Sequence, residues 1–166
     1  MKKTDLELEF ELKLKEYKLL IYKVCRIYAN DPNNIQELYQ DIIIQLWKSY
    51  PKFRAESKFS TWLYRIAINT ALTSFSKPKR SLQYSDVELH NVEIPDEDDI
   101  GLKDEQQEQL YLAIQQLNDI EKSIVMLYLE DKSYDEMEDI LGISNATLRV
   151  KMNRIKEKLR TLTNNK

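Results

Sequence analysis

Glycine is almost absent from these 166 residues: one stands at position 101 and the other at 142. Neither a phosphate-binding glycine loop nor a dinucleotide fingerprint can be written with so few. Proline occurs only four times, so a β-sandwich or barrel, which depends on many Gly, Pro and Asn turns, is not expected. The single Cys25 rules out an internal disulfide framework and suits a reducing cytoplasm. His90 is the only histidine, so no His/Cys cluster offers a zinc site, and hydrolytic triads lack a well-placed base. The DEDD run at 96–99 reads as solvated acids. No apolar stretch approaches the roughly 20 residues that span a bilayer. The opening MKKTDLELEFELKLKEYK turns acidic where a signal peptide would be apolar. The expectation is a cytoplasmic protein with no membrane insertion, catalytic residue, metal or cofactor.

What is abundant is helix-forming: 42% of residues are hydrophobic and 32% charged, with long stretches of Leu, Lys, Glu and Ile. The predicted fold class is all-α. Net charge is only −3, but it is segregated along the chain. Residues 1–80 carry 15 basic and 9 acidic side chains, whereas 81–109 carry one basic and ten acidic ones. From 110 to 139 two bases face eight acids, and from 144 to 166 seven bases face Glu157 alone. Two basic patches, the kind that contact phosphate, thus flank an acidic stretch. That stretch, SLQYSDVELHNVEIPDEDDIGLKDEQQ, has no helical or strand period. It reads as a linker (81–109) between an N-terminal helical bundle (1–80) and a C-terminal four-helix domain (110–166).

In the first domain, Tyr17, Ile21, Val24 and Tyr28 make one buried stripe. Asp31-Pro32-Asn33-Asn34 stops that helix and offers a cap for the next. The second helix sets Tyr39, Ile42, Ile43 and Leu46 on one face and Glu37, Gln40 and Asp41 on another, and Pro51 ends it. A third helix, starting near Ser57–Phe59, carries Phe59, Trp62, Leu63, Ile66 and Ala67. Five aromatics (Phe53, Phe59, Trp62, Tyr64, Phe75) are interleaved with seven cations in this neighbourhood. They exceed what so small a core can hold, so some should be accessible. Aromatic faces beside Lys and Arg are what single-stranded nucleic acid requires; core packing explains the same residues in part.

In the second domain two short helices break around Asn118-Asp119, with Asp119 as the expected cap. Ser133 or Tyr134 then opens a helix ending at Leu141, Gly142 makes the turn, and Ser144 or Asn145 caps the last helix. This is a helix-turn-helix. Leu148, Met152, Ile155, Leu159 and Leu162 form the last helix's buried seam, leaving Arg149, Lys151, Asn153, Arg154, Lys156 and Arg160 around it. That is the pattern of a major-groove recognition helix. A basic surface helix or a short coiled-coil seam would share much of it.

ELYQDIIIQLW (37–47), FSTWLYRIAINTAL (59–72) and Leu141-Gly142-Ile143-Ser144 with its basic helix together resemble a bacterial sigma factor of the extracytoplasmic-function (group 4) type. The resemblance runs from about residue 10 to 162. It implies sigma domains 2 and 4, with core RNA polymerase and promoter DNA as partners. An anti-sigma factor is a further partner common in the family. It implies polymerase binding through Glu37, Leu38, Gln40, Asp41 and Trp47. It implies reading of a melted −10 element through Phe53, Trp62, Arg65 and Asn69, with Lys77, Lys79 and Arg80 in the basic run beyond. Asn145, Thr147, Arg149, Lys151, Asn153, Arg154 and Lys156 match positions that meet the −35 element. Thr73, Ser74-Phe75-Ser76 and Glu138 depart from the family pattern, the last standing where tight helix crossing favours a small residue. The acidic linker would compete with nucleic acid in the polymerase cleft.

Two other readings compete. A stand-alone helix-turn-helix regulator explains 110–166 but leaves the aromatic and basic N-terminal block unused. A helical adaptor would leave DNA alone at any salt.

Overall fold

The computed structural model describes residues 4–74 and 105–164. The chain divides into two compact units, Met1–Pro95 and Asp96–Lys166. Among the described residues there are seven α-helices and no strand, and no helix is long and apolar enough to cross a membrane.

The described residues of the first unit form a three-helix bundle. Helix α1 (Asp5–Tyr28) is capped by Thr4, whose hydroxyl accepts from the Glu7 N–H at 3.2 Å. It runs out at Tyr28, and Asp31 then caps α2 (Pro32–Ser49), accepting from Asn33 N–H at 2.8 Å with Pro32 in the first turn. Pro51 sits in a single 3₁₀ turn, Tyr50–Lys52, that ends α2. Helix α3 is Phe59–Ser74.

The expected stripes are buried in part: Tyr17, Phe59, Trp62, Ile66, Leu159 and Leu162 are half-buried, and the rest lie inside. Ile21, Val24 and Tyr28 of α1 meet Tyr39, Ile42, Ile43 and Leu46 of α2 and Leu63, Tyr64 and Ala67 of α3. Each large apolar side chain buried this way stabilises the bundle by about 1.5–3 kcal/mol. Ala67 and Ala71 keep one face of α3 small, which allows close approach to its neighbours. Cys25 belongs to this core: burial, with the Asp41 charge nearby, pushes its thiol far up, so it packs as a neutral group.

A second, aromatic layer closes the end of the bundle. Phe10 packs at 5.1 Å from both Trp47 and Tyr50, and Tyr17 at 5.0 Å from Phe59. Phe53, Phe59 and Trp62 lie 5.0 to 5.6 Å from one another. The Tyr50 hydroxyl donates to Glu9 at 2.9 Å. Burial and that carboxylate push its pKa up to about 12.

The second unit holds α4 (Glu105–Gln115), α5 (Asp119–Leu129), α6 (Tyr134–Leu141) and α7 (Asn145–Asn164). Helix α4 starts inside the segment read as linker, because Glu105, Gln106 and Gln107 are good helix formers with acids at the favourable N-terminal end. The cap of α5 is Asn118, not Asp119. Its Oδ1 accepts from Glu121 N–H at 2.8 Å while Glu121 Oε1 accepts from Asn118 N–H at 3.1 Å. This reciprocal capping box needs a Glu or Gln three residues on, which Asn118 has and Asp119 lacks. Ser133 caps α6, and Gly142 follows with φ at 72°, the left-handed turn that hands the chain to α7. Helix α7 packs its seam, Leu148, Met152 and Ile155, against α4, α5 and α6. Glu138 is exposed, so the helix crossing is made by Met137 and Ile140 instead.

Two predictions test this unit. A Cβ added at Gly142 meets nothing within 4 Å, so only backbone conformation opposes a side chain there. Gly142→Ala is expected to destabilise the unit by about 1 kcal/mol, and Gly142→Asn by less; thermal unfolding that is unchanged in both would refute the turn.

The second concerns Glu121. Burial alone would raise its carboxyl, but Lys158 donating at 2.7 Å, the Asn118 N–H and the Lys151 charge hold it below the ordinary 4.5. A depressed carboxylate contributes stability above its unfolded pKa and loses it as pH falls through the folded value. Glu121→Gln keeps an acceptor for the cap and removes the charge. The variant is expected to be less stable at pH 7 by about 0.5–1 kcal/mol. The two unfolding curves should converge below pH 4.5, and a gap persisting into acid would count against the ion pair.

Candidate nucleic-acid interface

Helix α7 is held by one side only. With Leu148, Met152 and Ile155 inward, helical register divides the rest into an outward strip and two basic flanks. Ala146, Val150 and Asn153 form the strip, with Val150 52% exposed, and Glu157 continues it one turn further on. Arg149, Lys156 and Arg160 lie along one flank; Lys151, Arg154 and Lys158 lie along the other.

The start of α7 is tightly ordered. The Ser144 hydroxyl accepts from Thr147 N–H at 3.3 Å and donates to the Thr147 hydroxyl at 2.8 Å. Asn145 Nδ2 donates to Asp135 of α6 at 2.7 Å, and Asn145 Oδ1 accepts from Arg149 Nε at 2.7 Å. The Arg149 guanidinium lies 4.6 Å from the Tyr134 ring centroid. Further along, Lys156 sits 4.7 Å over the Tyr128 ring, and Arg160 pairs with Glu157 at 2.9 Å. On the other flank Lys151, Arg154 and Lys158 line a hollow of about 250 Å³ with Asn118, Ile120 and Glu121. All seven residues expected to meet duplex DNA (Asn145, Thr147, Arg149, Lys151, Asn153, Arg154 and Lys156) therefore lie on this accessible helix. Tyr128, Tyr134, Asp135 and Val150 were not expected there. The first three lie on other helices, and only the fold brings them to α7; Val150 could have been found from its position between the two flanks.

In the first unit, Trp62, Arg65 and Asn69 stand one above another on α3, at i, i+3 and i+7. Arg65 and Asn69 are exposed, and Trp62 is half-buried against Phe53, whose ring is 5.0 Å away. Four of the expected −10 residues thus lie along one line, Phe53 against Trp62 and then Arg65 and Asn69 on the following turns of α3. Of the five aromatics thought too many for the core, Tyr64 is fully inside, while Phe53, Phe59 and Trp62 shield one another and keep part of their surface. Phe75, Lys77, Lys79 and Arg80 lie outside the described residues, as do His90, the DEDD run and most of the acidic linker. Thr73 turns its hydroxyl back on the helix, donating to the Asn69 carbonyl at 2.9 Å.

The residues expected to bind polymerase are not equally available. Glu37 is exposed, Gln40 and Asp41 are half-buried, and Asp41 accepts from the Ser74 hydroxyl at 3.3 Å. Trp47 is half-buried against Phe10. Leu38 corrects the expectation: it is only 2% exposed. It lies one turn before Ile42, on the side of α2 that faces the bundle, and an apolar side chain there gains more from the core than from solvent.

Residues 14–81 match the Sigma-70 region 2 family, and residues 107–159 match Sigma-70 region 4. The RNA polymerase sigma-H factor of Pseudomonas aeruginosa is 29% identical over 89% of this chain and 82% of its own length. The ECF RNA polymerase sigma-E factor of Haemophilus influenzae is 31% identical over 75% of this chain and 72% of its own. Among solved structures, the fold resembles the sigma factor RpoE from Bartonella quintana, crystallised with the anti-sigma factor NepR. That match has a TM-score of 0.71 and 20% identity, covering 93% of this chain and 96% of that one. CnrH, solved with the cytosolic domain of CnrY, gives a TM-score of 0.62 at 16% identity over 92% and 86%. With both sigma-70 regions matched in order, and a relative of that identity aligned over most of its length, the chain belongs to the extracytoplasmic-function family of RNA polymerase sigma factors, which direct transcription from specific promoters.

Proposed function

We propose that this protein works in the cytoplasm as a non-catalytic initiation subunit that reads a promoter in two states of its DNA. The second unit takes the −35 element as duplex, with α7 in the major groove, and the first unit takes the −10 element as melted strand. Core RNA polymerase binds through the α2 surface around Glu37, Gln40, Asp41 and Trp47. The observation that carries the reading is α7 itself, a helix buried along one seam, with an open strip between two lines of cations. In a major groove such a helix sets its strip against base edges while the flanking Lys and Arg meet the two phosphate walls. Val150 offers a methyl surface to thymine, and Asn153 an amide to adenine.

Melting is supported by the other surface. Flipping a base costs a few kcal/mol, and stacking on an aromatic returns roughly 1–3 kcal/mol per base. Trp62 and Phe53 supply the aromatic face, while Arg65 and Asn69 supply hydrogen bonds on the next turns. The segment 81–104 is proposed as an acidic tether that competes with nucleic acid inside polymerase. Since the RpoE structure is a complex with an anti-sigma factor, an inhibitory protein partner is proposed here too.

The test is transcription from a genomic promoter library by core RNA polymerase, with and without the full chain. Discrete new start sites sharing two upstream elements are expected. Asn69→Ala should lower output from duplex templates by roughly tenfold and recover much of it on templates opened in advance, because the loss falls on strand capture. Arg149→Ala should act on the upstream element and gain nothing from opening. Duplex binding without polymerase and no new starts would instead identify a stand-alone regulator.

A further inference from the structure

Asn145 stands where a base-reading residue is expected, yet both ends of its amide are engaged within the protein. The Asp135 carboxylate can only accept, so it fixes which end of the amide carries the NH₂. That leaves Asn145 Oδ1 turned toward Arg149, where it accepts from Nε at 2.7 Å. The Tyr134 ring, 4.6 Å from the guanidinium carbon, covers the guanidinium. Arg149 is thus held at two points by residues that reach it from α6 and from the first position of α7.

We infer that Tyr134, Asp135 and Asn145 are positioning residues that present Arg149 end-on to a single guanine of the upstream element; this rests on the −35 reading above. With Nε taken by Asn145, the two terminal nitrogens form the remaining fork. Guanine shows two acceptors, O6 and N7, on its major-groove edge, and a pair of parallel donors matches them. Adenine places an amino donor where guanine has O6, so a fork made only of donors rejects it. An unrestrained arginine could turn to a phosphate or take the contact through Nε. Holding it in one orientation converts a general cation into a specific reader.

The experiment uses the full chain assembled with core RNA polymerase and a duplex promoter library randomised through the upstream element, with bound sequences counted. Wild type is expected to select guanine at one position. Arg149→Ala should flatten that position alone, by roughly tenfold or more, the range set by one bidentate contact. Asp135→Ala and Tyr134→Leu should flatten the same position by roughly three- to tenfold, since they loosen the contact without removing it. Asp135→Asn, which keeps an acceptor for Asn145, and Tyr134→Phe, which keeps the ring, should retain the guanine preference. Thermal unfolding of each variant separates loss of fold from loss of orientation. If Asp135→Ala and Tyr134→Leu weaken all sequences equally while guanine stays preferred, the positioning role is refuted and the −35 reading stands. If Arg149→Ala flattens no position, the inference fails at its centre. If wild type selects nothing upstream, the −35 reading falls and takes the inference with it.

Discussion

The seam of Leu148, Met152 and Ile155 determines what the second unit can do. These three side chains are at most 1% exposed, and their helix packs against the three other described helices of the unit. Because helical register is rigid, fixing that seam fixes where every other residue of α7 points. A rotation of α7 by one residue would carry the seam into solvent and a basic flank into the core, which burial energies forbid. The outward strip of Ala146, Val150 and Asn153 and the two lines of cations are therefore consequences of apolar packing. The left-handed turn at Gly142 and the paired Ser144–Thr147 cap then set where along the axis the helix begins.

The first unit uses its residues in a less divided way. Its core mixes aliphatic side chains with buried Tyr28, Tyr39 and Tyr64, and it continues into an aromatic layer in which Phe10 and Tyr50 are buried and Tyr17, Trp47, Phe53, Phe59 and Trp62 are half-buried. The half-buried rings of this layer are held by their neighbours on one side and keep part of their surface exposed. Trp62 has both roles, linking Phe53 and Phe59 while heading the stripe that continues to Arg65 and Asn69. If the proposed strand capture holds, stability and capture would be coupled at Trp62, whereas Arg65 and Asn69 are exposed.

Much of this was legible in the chain. Spacings of three and four residues announce a buried stripe whenever only one face of a helix is covered, and the stripes of α1, α2 and α7 follow that rule. Caps were legible to within a few residues, as in Asp31-Pro32-Asn33-Asn34, where Asp31 caps, and at Ser133 or Tyr134, where Ser133 caps. At Asn118 and Asp119 both residues could cap, and the deciding feature was Glu121, three positions after Asn118. Leu38 was misplaced because a motif match says which residues recur together, while exposure depends on what packs opposite. The partners of Arg149 and Lys156 were not legible at all. Tyr134 and Tyr128 lie 15 and 28 residues earlier on other helices, and no local periodicity encodes a contact made by crossing two helices.

The same unit holds eight acids against two bases from 110 to 139 and seven bases against one acid from 144 to 166. At physiological salt a charge is screened over about 8 Å, less than the width of one helix with its side chains. A phosphate against the outward flanks of α7 therefore feels mainly the cations there, and a phosphate on the far face of α5 or α6 feels mainly acids. Near-neutral total charge keeps general attraction to DNA weak, while the separation favours one face for whatever attraction remains. Asp135 stands at the border between the two fields, bonded to the first residue of α7. By accepting from the Asn145 amide it turns Asn145 Oδ1 toward Arg149 Nε, so this acid acts on the cation through an intermediate side chain, as a constraint on orientation and not as a counter-charge.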